Sequence, residues 1–216
     1  MSADVLLEQA VMAELAFEPS LSADHIAVTV EDGVVTLIGH VSTYAQKHAA
    51  ETAARRVRDV KGVIEEIEVR LPPEAHLSDR DLAAAAVERL AWDVAIPTGA
   101  IEVKVEKGWV ILSGAVPWRY QKEFAQDDIR RLRGVVGISN QISVRPPGSA
   151  ADPRAAIRRA LQRGGRVDPA AVHVEADGGR LTLSGSVRTL HEWRSVSAAA
   201  WRAPGVSDVE NDIEIL

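Results

Sequence analysis

Residues 101–116 read IEVKVEKGWVILSGAV, and this stretch decides the fold. Ile101, Val103 and Val105 alternate with charged residues, Lys107-Gly108 supplies a turn, and Val110 and Leu112 resume the alternation. Both arms therefore keep one apolar face, as a half-buried β-hairpin requires. A two-residue loop pairs Val105 with Val110, Val103 with Leu112 and Ile101 with Gly114, and in that register all three pairs point the same way. The hairpin recurs at 26–41 (IAVTVEDGVVTLIGHV) and at 172–187 (VHVEADGGRLTLSGSV). Its glycines fall at 33 and 39, 108 and 114, 179 and 185, so the offsets are 75 and then 71 residues. A spacing held through whole units marks a triplicated domain.

Around each hairpin the same elements recur, giving expected domains at 1–71, 77–146 and 150–216. A helix opens each one. Its apolar stripe is Leu7, Ala10, Val11 and Leu15 in the first, Leu82, Ala85, Ala86 and Leu90 in the second, and Ala156, Ile157 and Leu161 in the third. Ser78 with Asp81 three residues on has the form of a capping box, and Asp152-Pro153 that of a cap and first-turn proline. After the hairpin comes a second helix, with Ala49, Ala50, Ala53, Ala54 and Val57 inward in the first unit. In the second unit its inward residues are Phe124, Ala125, Ile129 and Leu132, with Asp128 interrupting the stripe. A third strand closes each unit: Val63, Ile67 and Val69 inward, then Ile138 to Val144, then Val209 to Ile215. Two Pro-Pro segments, Leu71-Pro72-Pro73-Glu74 and Arg145-Pro146-Pro147-Gly148-Ser149, read as short semi-rigid linkers. The fold class is α+β: three tandem α-β-β-α-β domains, each a three-stranded mixed sheet with two helices on one face. A right-handed strand–helix–strand crossover is expected to set the third strand beside the first and antiparallel to it, in order 2-1-3.

Composition narrows the function. With no cysteine, disulfides, thiolate metal sites and cysteine nucleophiles are excluded. Net charge is −6, and residues 1–73 carry all of it, with 6 basic against 12 acidic side chains. Duplex nucleic acid bound through its phosphates calls for a basic surface, so no nucleic-acid partner is expected. MSADVLLEQAVMAEL has neither a basic n-region nor a continuous apolar core, and no 18-residue apolar run occurs, so a soluble cytoplasmic protein is expected.

The six histidines, at 25, 40, 48, 76, 173 and 191, do not recur at equivalent repeat positions, and no metal is expected. Adjacent carboxylates such as Glu65-Glu66 and Asp127-Asp128 point in different directions and read as solvated charge. Asn140 and Asn211 fall on the inward side of the third strand, where an amide must hydrogen-bond to nearby backbone. Two features read as contact surfaces. The outer sheet faces of units one and two carry Val34, Ile38, Trp109 and Ile111, where an open face in water is polar. They cover each other, a second copy of the chain, or a lipid or protein partner. Arg55, Arg56 and Arg58 recur as Arg130, Arg131 and Arg133 at the end of the second helix. They either complement the helix dipole or form an anionic head-group site, with Trp118 and Tyr120 supplying interfacial aromatics at the other end of the helix.

Two signatures give each unit its resemblance to a known module. One is V-x-V-x-x-G-x-V-x-L-x-G-x-V, met by Val28, Val30, Gly33, Val35, Leu37, Gly39 and Val41 and by their equivalents 75 residues on. The other is G-V-x-x-V-x-N-x-I-x-V, met by Gly205, Val206, Val209, Asn211, Ile213 and Ile215, and by Gly134, Val135, Ile138, Asn140, Ile142 and Val144. Each unit resembles the BON domain. The first departs from it at Asp59 and Glu65, and the third at Ala176. The resemblance implies a non-enzymatic binding protein of the OsmY-like, osmotic-stress-related type, without cofactor, associated with membrane phospholipid or envelope components. The alternative is a cytoplasmic protein-protein interaction scaffold with no lipid binding, homo-oligomeric or not.

Overall fold

The computed structural model describes residues 3–145, 152–164, 167–177 and 179–215. The first repeat comprises α1 (Ala3–Phe17), β1 (Ile26–Glu31), β2 (Val34–Val41), α2 (Tyr44–Arg56) and β3 (Gly62–Val69). After a 3-10 turn at Pro73–Ala75 come α3 (Asp79–Trp92), β4 (Ile101–Glu106), β5 (Trp109–Val116), α4 (Arg119–Arg130), β6 (Gly137–Asn140) and β7 (Ser143–Val144). The third repeat holds α5 (Pro153–Gly164), β8 (Val172–Asp177), β9 (Arg180–Val187), α6 (Leu190–Trp201) and β10 (Asp208–Ile215). The Pro146-Pro147 linker and Gly178 of the third turn lie outside the described residues. The chain condenses into two compact units, one of Met1–Trp92, Val103–Leu112 and Gln126–Ser139, the other of Asp93–Glu102, Ser113–Ala125 and Asn140–Leu216. Each draws on part of the middle repeat.

The hairpins have the register their alternation dictates. Val30 faces Val35, Val28 faces Leu37 and Ile26 faces Gly39, and in the third repeat Val174 faces Leu183 and Val172 faces Gly185. Asp32 and Gly33, like Lys107 and Gly108, have positive φ at both central turn positions, which matches the twist of a tight hairpin. The second glycine of each hairpin answers a different demand. Gly39, Gly114 and Gly185 also have positive φ, and a Cβ on any of them would run into the carbonyl oxygen of His25, Ala100 or Ala171. Only glycine fits where the backbones approach so closely.

The expected strand order is corrected. The first and third sheets run β1-β2-β3 and β8-β9-β10, with the hairpin antiparallel and the last strand parallel to the second strand of the hairpin. A helix leaving the end of β2 returns the chain to the start of a strand alongside it, so the crossover joins nearest neighbours. Burial favours the same choice: Val35 and Leu37 of β2 are fully covered, whereas β1 alternates apolar with polar residues as an edge strand tolerates. In the second repeat the order is β4-β5-β6, and the last strand is broken, with β7 resuming beside β5 at Ala115 and Val116. Asn140 sits at the break, its Oδ1 accepting from Ile142 N at 3.2 Å and its Nδ2 donating to Lys122 O at 2.9 Å.

In the first repeat the core packs Val11 and Leu15 of α1 and Ala50, Ala53 and Ala54 of α2 against Val28, Val35, Leu37, Val41 and Ile67. Two helices thus cover one face of the sheet, and the alanines keep α2 close to it. In the third repeat Ile157, Leu161, Val196 and Ala200 do the same over Val172, Leu181, Leu183, Val187 and Ile213. Along α4 the buried positions are Gln121, Ala125, Asp128 and Ile129, so Ala125 and Ile129 lie inward as expected and the polar Gln121 and Asp128 complete the stripe. Phe124, expected inward, is 45% exposed. Asp128, expected as solvated charge, is buried, because Arg89 of α3 donates to its Oδ1 through Nε at 2.9 Å and Nη2 at 2.5 Å.

Candidate binding surfaces

The outer sheet faces are open in the single chain. On the first sheet Ile38 is 42% and Ile64 49% exposed, with Val34 half-buried against Gly62. Glu31, Glu66 and Glu68 share that face by register and are exposed. Ile111 on β5 is half-buried, and Trp109 is 49% exposed with its indole laid over Gly137. The third sheet's outer face is acidic: Glu175 and Asp177 on β8, with Asp208, Glu210, Asp212 and Glu214 on β10. Its one cation, Arg180, pairs with Asp208 at 3.0 Å. Val34, Ile38, Trp109 and Ile111 belong to central strands, which neighbours on both sides partly shelter, whereas Ile64 lies on the edge strand β3.

The six arginines are not equivalent. Arg55 pairs with Glu51 at 2.8 Å, and Arg56 is held between Glu14 at 3.1 Å and Glu18 at 2.7 Å. The Ser20 hydroxyl, then Arg56, keep the Glu18 carboxyl below its ordinary range. Arg130 pairs with Asp127 and is partly buried near Tyr44 and His48 of α2. Burial lowers the Arg130 pKa, and it lowers that of His48, on which Arg130 also acts. Arg58, Arg131 and Arg133 are exposed and make no ion pair among the described residues, Arg133 standing 3.5 Å from the Glu74 carbonyl. Half of the arginine set thus has its charge occupied within the chain.

Two features went unread in the sequence. Phe17 at the end of α1 is 82% exposed, and Trp92 at the end of α3 is 77% exposed. These positions are 75 residues apart, as are Met12 and Val87, also exposed. The repeat offset that aligned the hairpins was the available signal. Asp4 and Asp79 share it too: Asp4 accepts from Asp32 N and Gly33 N, both at 3.2 Å, and Asp79 from Lys107 N at 2.7 Å and Gly108 N at 2.9 Å. The opening helix clamps the hairpin turn.

His25 and His40 stack with centroids 4.6 Å apart, one pair beyond Ile26 and Gly39 in the hairpin register. Among the described residues no three side chains form a metal-holding group, and no described helix is long and apolar enough to cross a membrane. Trp118 and Tyr120 line a cleft with α6, where Arg119 lies 4.0 Å over the Trp201 ring.

The repeated glycine-turn hairpins, each followed by a parallel third strand, coincide with three matches to the family described as BON domain, at residues 3–70, 78–146 and 149–216. The chain belongs to the BON domain family. It is 26% identical over 146 residues to osmotically-inducible protein Y of Escherichia coli (strain K12), a stretch covering 66% of this chain and 73% of that protein. It is also similar to CdsD, a structural protein of the type III secretion system of Chlamydia trachomatis, at 18% identity over 96% of this chain and 91% of that one, with a TM-score of 0.27. The C-terminal domain of CdsD gives the same identity and TM-score, with coverage of 100% of this chain and 99% of that one.

Proposed function

We propose that this BON-repeat chain is a non-enzymatic, OsmY-like binding protein of the osmotic-stress response, which associates reversibly with the interface of an anionic phospholipid membrane. The observation that carries the reading is the exposure of Phe17 and Trp92, at 82% and 77%, at equivalent positions of two repeats. Exposed aromatics partition favourably to the headgroup region, and Arg58, Arg131 and Arg133 supply cations for acidic lipid. The sheet backs are the poorer lipid surface, since Glu31, Glu66 and Glu68 would face a negative bilayer. The cytoplasm is the expected compartment, to be checked by fractionation. In co-sedimentation at low salt, acidic vesicles are expected to bind the chain and neutral ones to bind it weakly. Phe17→Ser with Trp92→Ser removes binding, and reversal of Arg58, Arg131 and Arg133 weakens it. Retention of the wild-type chain in the supernatant with acidic vesicles ends this reading.

A second reading has its own observation. Ile38 and Ile64 form an exposed apolar spot among glutamates on the first sheet, suited to a protein partner with an apolar centre and basic rim. Under this scaffold reading Ile38→Lys abolishes partner recovery and leaves vesicle binding unchanged.

A further inference from the structure

The first turn of α4 and one strip of α6 enclose an open cleft of about 840 Å³ that neither reading above uses. Three of the chain's five tryptophans line it. Trp193 and Trp201 stand eight residues apart on α6, about 12 Å along the axis, and Ser197 and Ala198 between them leave the space open. Arg119 covers one face of Trp201 and is itself neutralised by Glu123 at 2.7 Å, so this wall is already organised. Arg194 and Arg202, also at the cleft, are exposed and make no ion pair among the described residues.

Rings and free guanidinium groups together specify a ligand. A purely apolar occupant would strip water from Arg194 and Arg202 without replacing it, which is unfavourable. Trp193 and Trp201 pack one side against the core of the third repeat, and a bare anion would leave the part of the rings that faces the cleft in water. A flat ring bearing a phosphate satisfies both, because bases stack on aromatic side chains and the guanidinium fork matches phosphate. The volume lies in the range of small-molecule sites. We infer that this cleft is a binding site for a nucleoside phosphate, the base stacking on its indoles and the phosphate held by Arg194 and Arg202.

The test is titration of the full chain with AMP, followed by tryptophan fluorescence and calorimetry. AMP is expected to quench saturably, while adenosine and inorganic phosphate each bind at least about tenfold more weakly, since each forfeits one of the two interactions. Trp193→Ala and Arg202→Ala should each cost about tenfold, with the far-UV circular dichroism unchanged. Ala198→Leu, which fills the cleft from a small-residue position, should abolish quenching even if the other variants perturb folding. A 5′-phosphorylated tetranucleotide separates the two sources of this chemistry: affinity equal to AMP marks a free nucleotide, tighter binding a strand end. The proposal is overturned by no saturable response to AMP, by adenosine or phosphate binding as well as AMP, or by variants that bind like wild type. Quenching by acidic vesicles without any by AMP also overturns it, and vesicle binding that survives Ala198→Leu leaves the membrane reading separate.

Discussion

The indole of Trp109 lies over Gly137, at the start of the last strand of the second sheet, so closely that a Cβ on Gly137 would collide with the ring. The same cross-strand position holds Val34 against Gly62 in the first sheet and Arg180 paired with Asp208 in the third. One site in the repeat has thus been filled by apolar cover twice and by an ion pair once. Gly137→Ala is expected to destabilise the chain by about 1–3 kcal/mol through overpacking. Urea denaturation checks this, and Trp109→Ala in the same chain should relieve most of the loss. A Gly137→Ala chain as stable as wild type would show that the ring moves freely.

The clamp from Asp79 onto Lys107 N and Gly108 N predicts a loss of about 1–3 kcal/mol in Asp79→Ala, since two turn N–H groups lose a charged acceptor. Asp79→Asn, keeping one acceptor oxygen, should lose less. Amide exchange at Lys107 and Gly108 reports the effect locally, and unchanged protection would contradict it.

Arg89 and Asp128 form a pair with one buried member. Removing Arg89 leaves a carboxylate covered and uncompensated, so Arg89→Ala is expected to cost about 2–4 kcal/mol, toward the low end because Arg89 is itself half-exposed. Arg89→Leu with Asp128→Leu should restore most of the stability, as apolar replacements of buried pairs do. Thermal melts of the wild-type chain and the two variants give the comparison.

Burial, then Arg130, lowers the pKa of His48 below its usual value near 6.5. The folded chain takes up this proton less readily than the unfolded chain. The stability from the neutral imidazole is therefore fully present above about pH 6.5 and is lost as pH falls through that value toward the lower folded pKa. An NMR titration should place the His48 midpoint below that of an exposed histidine, and Arg130→Gln should raise it. A midpoint unmoved by Arg130→Gln would remove Arg130 as a cause.

Hairpin register, helix stripes and the threefold repeat could be read from residue order because each depends on contacts between near neighbours: period two along a strand, period 3.6 along a helix, and glycine where the chain turns. The N-cap was legible for the same reason: Asp81 N donates to Ser78 Oγ at 3.2 Å, while the Asp81 carboxylate accepts from the Ser78 hydroxyl at 2.7 Å instead of from the backbone N–H of a full capping box. Alternation tells which side of a strand faces inward and is silent on which strand lies next to it, so the order 1-2-3 in place of 2-1-3 is decided by the parallel pairing of Val35 with Val63.

Partners distant in the chain were hidden in the same way. Asp128 looked misplaced because Arg89 lies 39 residues before it. The six arginines at the ends of the second helices look alike in the sequence because Glu14 and Glu18, which hold Arg56, are on another helix. Short-range chemistry wrote the repeat and its three copies into the order of residues. Which charges are spent internally, which aromatics stay in water and which rings share a cleft follow from three-dimensional packing, since those outcomes depend on side chains that meet only after the chain has folded.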